Sequence, residues 1–248
     1  MKRILNIGDL HGRMNWKGID PKLYDKIIFV GDYCDAYGLT DEHIANNLLD
    51  VIQFKKDNMN KVELLWGNHE LHYLWDEGRY MCSGYRPTMK YIIQPILKDN
   101  KDLFECAYEI QTADKKYIWT HAGIAQRWFE RYMIYDEDND EVKHLKHMTN
   151  FQLAEQLNML FYHNRYAPLF YVDPERGGAS LQGGPLWLGK NRLIADPLKG
   201  YTQIIGHTPC KDDVEVHDIA DGNKLIFIDF EPYPFYTLEI LDEFYEFV

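Results

Sequence analysis

Paired cysteines are missing from this sequence. Its four cysteines, Cys34, Cys82, Cys106 and Cys210, show neither CxxC spacing nor the density of a secreted scaffold. That excludes a disulfide-stapled small domain and indicates reduced thiols in a cytoplasmic protein. Long apolar runs are missing too. No stretch approaches the roughly 18 apolar residues of a membrane span. The opening MKRILNIGDLHG moves from a short basic start into a strand and a Gly-Asp turn. It has no apolar core or small-residue cleavage site, so no signal peptide is expected. Positive charge is in short supply: 27 Lys and Arg stand against 39 Asp and Glu, a formal net charge of -12. Such a chain has no general electrostatic reason to bind a nucleic-acid polymer or an anionic membrane. A phosphorylated substrate then requires a local cationic centre, and bound metal ions are one. Repeats and low-complexity linkers are also lacking.

What is present suffices for a sizeable core. The chain has 248 residues, 46% hydrophobic and 15% aromatic, which points away from disorder. Short apolar runs at 3–7, 26–30, 62–66, 117–119, 203–205, 225–228 and 236–240 have the length and branched or aromatic content of buried strands. Helical patterns lie between them. Thr40 reads as an N-cap, followed by Ile44, Leu48, Val51 and Ile52 on one face. Thr149 and Gln152 read as a capping box before Leu153, Leu157, Leu160 and Phe161. The first half therefore alternates strand and helix, an α/β pattern, and the segment from Gln203 onward is strand-rich. The stretches 71–105 and 124–200 are aromatic and irregular and are expected to be cap-forming insertions in a single domain spanning 1–248. The acidic run 136–141 reads as a solvated loop.

Five segments carry the chemistry: Gly8-Asp9-Leu10-His11-Gly12, Gly31-Asp32-Tyr33-Cys34-Asp35, Gly67-Asn68-His69-Glu70, Thr120-His121-Ala122-Gly123 and Gly206-His207-Thr208. Each directly follows a predicted buried strand, and ligands of α/β sheets bind beyond the carboxyl ends of strands. Two divalent ions roughly 3.5–4 Å apart require oxygen and nitrogen ligands and one bridging carboxylate. Asp and neutral His provide these, and an Asn carbonyl adds an oxygen without further charge. A Gly-Asp pair alone is ordinarily a turn, and a lone His ordinarily a hydrogen-bonded core or surface residue. The five segments together, in this order, point to a metal centre.

The series resembles the calcineurin-like metallophosphoesterase superfamily. It is similar in particular to the phosphoprotein phosphatase branch, which includes bacterial and phage serine/threonine phosphatases and symmetrical dinucleoside tetraphosphatases. The resemblance implies a metallophosphoesterase β-sandwich flanked by helices. It also implies a first metal held by Asp9, His11 and Asp32 and a second by Asp32, Asn68, His121 and His207, with Asp32 bridging. A hydroxide between two divalent ions, Mn²⁺ first and Fe or Zn as alternatives, then attacks phosphorus in line. His69 acts on the phosphate or the leaving oxygen, and Asp35 orients His69. The chain departs from the family where the second motif continues Asp-Arg-Gly: it reads Asp35-Ala36-Tyr37-Gly38, without the phosphate-gripping arginine. A second family arginine has its loose counterpart in Arg192 or Lys190. His43, His72, His144, His147, His163 and His217 match no ligand motif and are expected to be structural or solvent-exposed, while Tyr37 and Trp187 are candidates for the site mouth. The expected activity is hydrolysis of phosphate monoesters, of a small molecule or a phosphoprotein. Hydrolysis of nucleotides or dinucleoside polyphosphates is the alternative, and a non-catalytic scaffold on the same fold a minor one.

Overall fold

The structure is a computed structural model, and it describes residues 2–75, 81–134, 152–164, 167–230, 235–240 and 244–245. Thr149, the run 136–141, His144 and His147 lie outside these residues, as does the side chain of His163.

Among the described residues, eleven strands and six α-helices follow one another. The order begins β1 (Lys2–Ile7), β2 (Lys26–Phe29), α1 (Asp41–Asp57), β3 (Val62–Leu65), α2 (Asn68–Leu74), α3 (Pro87–Asp99), β4 (Phe104–Glu105), β5 (Ala107–Thr112) and β6 (Lys116–Thr120). It continues with α4 (Gln126–Phe129), α5 (Leu153–Asn164), α6 (Lys190–Ala195), β7 (Tyr201–Ile205), β8 (Glu215–Asp218), β9 (Lys224–Phe227), β10 (Phe235–Ile240) and β11 (Phe244–Tyr245). All seven apolar runs are strands. The short β4, β8 and β11 and the more polar β5 carry too little apolar pattern to be read in advance.

The chain forms two compact units. The first takes in the described residues of Met1–Glu105, Pro209–Val214 and Ile228–Asp242. Its sheet runs β10-β1-β2-β3-β4, with β10 antiparallel to β1 and the remaining pairs parallel. The parallel strands are buried along almost their whole length, as their unbroken apolar composition requires. Helix α1 is capped as expected: Thr40 Oγ1 accepts the His43 N–H at 3.2 Å, and Ile44, Leu48, Val51 and Ile52 are buried. Helix α3 starts on Pro87, whose missing N–H is no loss in a first turn. Thus the stretch 71–105 ends in a helix with buried Met89, Ile93 and Leu97 and in the edge strand of this sheet.

The second unit takes in the described residues of Cys106–Thr208, Glu215–Phe227 and Glu243–Val248. Its sheet runs β11-β5-β6-β7-β9-β8, with β6, β7 and β9 parallel and the outer pairs antiparallel. Helix α5 buries Leu153, Leu157, Leu160 and Phe161, and its first turn is held by Glu155, which accepts the Gln152 N–H at 2.9 Å. Two mixed sheets with helices in each unit make the chain an α/β protein. Among the described residues, no helix is long and apolar enough to cross a membrane.

Candidate metal and phosphate site

In the first unit, β1, β2 and β3 are parallel neighbours, so the loops leaving their carboxyl ends emerge side by side. Those loops carry Asp9 and His11, Asp32 and Asp35, and Asn68 and His69. Backbone bonds tie the first two together: the N–H groups of Leu10 and His11 both donate to the Asp32 carbonyl, at 3.0 and 2.8 Å. His11, Asp32 and Asp35 all adopt positive φ, at 44°, 54° and 59°. Such backbone costs of order 1–3 kcal/mol per non-glycine residue and persists where surrounding structure over-determines it, typically at functional sites.

Glu70 is the largest over-determining element. It is fully buried, and its carboxylate accepts four backbone N–H groups: Tyr33 at 2.9 Å, Cys34 at 3.1 Å, and Asp32 and Gly67 each at 3.0 Å. One side chain thereby fixes the Asp32 loop against the start of α2. Gly67 is required by that closeness, since a Cβ there meets Asp32 Oδ1 at 2.2 Å. Glu70 stands inside a recognised segment, but nothing local in the sequence reveals donors that lie almost forty residues away.

The donor atoms are spaced for an ion. Asp32 Oδ1 accepts the His69 backbone N–H at 3.0 Å, while Asp32 Oδ2 lies 3.9 Å from His11 Nε2 and 3.9 Å from His69 Nε2. His11 Nε2 is also 4.0 Å from Asp9 Oδ2. The His11 separations are too long for hydrogen bonds, yet match two ligands each about 2.0–2.2 Å from one divalent ion. The other His11 nitrogen, Nδ1, donates to the Cys34 carbonyl at 2.8 Å, which leaves Nε2 as the basic nitrogen of a neutral ring. The Asn68 amide nitrogen donates to Cys82 Sγ at 3.2 Å. Burial pushes Asp229 up to about 8, and the charge of neighbouring Asp9 adds to this. Buried carboxylates this close together call for a cation.

His69 is paired with Asp35. Its Nδ1 donates to Asp35 Oδ2 at 2.8 Å. Burial opposes the imidazolium, but the charge of Asp32 and the Asp35 bond outweigh it and push His69 up to about 9. Burial likewise disfavours ionised Asp35, but the His69 hydrogen bond and the closeness of His72 bring it below the usual carboxylate range. His72, expected to be structural or solvent-exposed, is buried against Asp35.

The second unit places His121 and His207 at the carboxyl ends of the parallel neighbours β6 and β7. Both are buried, their rings are 4.9 Å apart, and His207 Nδ1 lies 3.1 Å from His121 Nε2. His207 also has positive φ, at 66°. The Arg176 guanidinium braces it, donating to the His207 carbonyl at 3.3 Å and to Thr208 Oγ1. Trp187 is buried with its ring centroid 6.0 Å from that of His207, whereas Tyr37 is 84% exposed. A cavity of about 400 Å³ next to Thr208 is lined by Glu175, Arg176, Lys190 and Asn191.

The arginines that bear on phosphate binding are engaged with protein groups. Arg192 sits 3.3 Å from buried Asp173 and donates to the Leu181 carbonyl at 2.9 Å. Beside Ala36, where the family arginine is missing, Arg86 donates to the Ala36 carbonyl at 2.8 Å and pairs with Asp41 at 2.5 Å.

No curated protein sequence matches the chain. Among solved structures it is similar to the cold-active protein-tyrosine phosphatase of a psychrophilic Shewanella, at 19% identity and a TM-score of 0.47, over 92% of this chain and 71% of that one. A dimetal phosphatase from Danio rerio aligns at 14% identity and a TM-score of 0.36, over 95% of this chain and 91% of that one. The phosphopantetheinyl hydrolase of Mycobacterium tuberculosis aligns at 14% identity and a TM-score of 0.36, over 93% and 89%. The family match is of another order, because it takes in the strand-end loops of both units: the model of the calcineurin-like phosphoesterases matches residues 2–211, and the chain belongs to that metal-dependent family of hydrolases.

Proposed function

We propose that the protein hydrolyses phosphate monoesters at a centre of two divalent metal ions, with Mn²⁺ the first expectation. The observation that carries this reading is the Asp32 carboxylate. One of its oxygens is gripped by the His69 amide, and the other stands 3.9 Å from His11 Nε2. In this reading Asp9, His11 and Asp32 hold one ion. Asp32 with Asn68, His121 and His207 holds the other, as family membership implies. The ions, when bound, neutralise phosphate charge and lower the pKa of the attacking water. The chain's own residues do the rest. His69 hydrogen-bonds the phosphate and delivers a proton to the leaving oxygen. Asp35 holds the His69 ring through Nδ1, so that Nε2 is the nitrogen that acts.

Hydrolysis of a nucleotide or dinucleoside polyphosphate is favoured by a separate observation. The cavity beside Thr208 is lined by Arg176, held by Thr208, and by Lys190, paired with Glu215, and a polyphosphate substrate is read as sharing these cations. Phosphopeptide and diadenosine tetraphosphate, offered to the same enzyme preparation, separate the two readings by their products. The metal reading is tested by chelation. Stripped protein is expected to lose turnover and to regain it with Mn²⁺, and Asp32→Asn is expected to be the most damaging ligand change. Background metal content, with turnover indifferent to chelator, would sink it.

A further inference from the structure

Two side chains that belong to no motif converge on the carboxylate behind the candidate acid. Asp35 is 5% exposed and has positive φ. Its Oδ1 accepts the Tyr73 hydroxyl at 2.5 Å, while its Oδ2 accepts His69 Nδ1 at 2.8 Å. His72 Nε2 lies 2.7 Å from the same Oδ2, off the alignment of a good hydrogen bond, and the His72 side chain is fully buried.

Both groups have their proton direction set by a second contact. The Cys82 backbone N–H donates to His72 Nδ1 at 3.2 Å, so a neutral His72 carries its proton on Nε2, facing Asp35. Tyr73 Oη accepts the Arg86 backbone N–H at 3.2 Å, which directs its own proton to Asp35. Burial, with the Asp35 charge, raises the Tyr73 hydroxyl far above its ordinary range and keeps that proton in place. Helix α2 supplies both residues one turn after His69, so they share a rigid element with the group they serve.

A lone aspartate is loose about its terminal torsion, which is broad and two-fold. Here one oxygen is tied to Tyr73, and the other is bonded to His69 and faced by His72 Nε2 at 2.7 Å. We propose that His72 and Tyr73 are positioning residues that lock the Asp35 carboxylate in one orientation and so hold the His69 ring where it delivers its proton. The proposal rests on the phosphoesterase reading with His69 as the acid. It also narrows the substrate class, because this much support matters most for esters whose leaving oxygen is a poor one, such as alkyl phosphates. A displacement of about 1 Å in a catalytic group can cost of order 10²-fold in rate.

The test uses the full chain reconstituted with Mn²⁺, an alkyl phosphate and p-nitrophenyl phosphate, with His69→Asn as reference. Tyr73→Phe and His72→Leu are expected to lower kcat on the alkyl ester by about tenfold, a fraction of the 10²–10⁴ ascribed to a general acid. Losses on the aryl ester are expected to be smaller, with KM and metal content unchanged. His72→Gln, which keeps an N–H donor, is expected to recover most of the rate. Equal losses on both esters, or a fall in metal content, would overturn the proposal. A second readout is independent of turnover: the His69 Nδ1–H proton resonance, assigned by its loss in His69→Asn. It is expected far downfield in the wild type and displaced in Tyr73→Phe and His72→Leu, and an unmoved resonance overturns the proposal. Should the wild type turn over neither ester, the phosphoesterase reading fails on its own, and the resonance alone decides the positioning role.

Discussion

The carboxylate of Glu70 accepts the backbone N–H of Asp32 at 3.0 Å, so the residue proposed to bridge two metals is held by a side chain outside the proposed ligand set. Glu70→Gln keeps the shape but offers one acceptor oxygen where two served four N–H groups. Hydrogen bonds to a charged group contribute about 1.5–3 kcal/mol each, and an outlying support of a metal ligand is typically worth about 10–100-fold in affinity. The variant is expected to fold, to melt lower by an amount equivalent to about 2–4 kcal/mol, and to bind Mn²⁺ about tenfold or more weakly. Calorimetric titration beside a thermal melt checks both. Unchanged affinity and stability would remove Glu70 from the site.

Gly67 gives a steric test of the same contact. An added Cβ meets Asp32 Oδ1 at 2.2 Å and the Asp32 nitrogen at 2.3 Å, whereas one added at Gly18 meets nothing within 4 Å. Gly67→Ala is expected to cost roughly 1–3 kcal/mol of stability, as overpacking does, and most of the activity. Gly18→Ala is expected to cost well under 1 kcal/mol by the same reasoning. Comparable kinetics and melting for the two variants would contradict the close approach.

Glu105 sits on the edge strand of the first unit near Glu63. Burial and the Glu63 charge push it up to about 7, against the partial relief of Lys55. The folded state therefore holds a proton that the unfolded chain releases near pH 4.5. Stability falls as pH rises through the window from there to about 7, and the loss is complete above it. Glu105→Gln removes that dependence. The variant is expected to be more stable than wild type by about 1–3 kcal/mol at high pH and to lose that advantage in mild acid. Urea denaturation at the two ends of the window measures it, and a pH-independent difference would refute the assignment.

Arg176 and Arg192 are expected to behave differently. Arg176 grips the His207 carbonyl and Thr208, so Arg176→Ala should lower activity and metal retention together. Arg192 is 42% exposed and pairs with buried Asp173, which keeps backbone donors from Glu175 and Gly183. Arg192→Ala should therefore act on stability, by about 1–2 kcal/mol, and leave kcat near wild type. Steady-state kinetics with metal analysis decides. A kcat loss at Arg192 with full stability would return it to the role of phosphate clamp.

The sequence by itself determined the strands and the residues that stand at their ends. A buried parallel strand is an unbroken apolar run, and the chain must then turn where glycine and a polar residue follow. Asp9, Asp32, Asn68, His121 and His207 are legible for that reason: strand, turn and proposed ligand are neighbours in the chain. Helix α1, with its Thr40 cap, is legible on the same local terms. The short strands β4, β8 and β11 were not, because two to four residues hold too little pattern. Only the tertiary structure decided which side chains support the ligands. Glu70 binds a loop almost forty residues away, Asp35 gathers His69, His72 and Tyr73, and Arg192 turns to Asp173. Such partners are set by the register of parallel strands and the rotamers of packed helices. These place in contact residues whose spacing along the chain carries no signal.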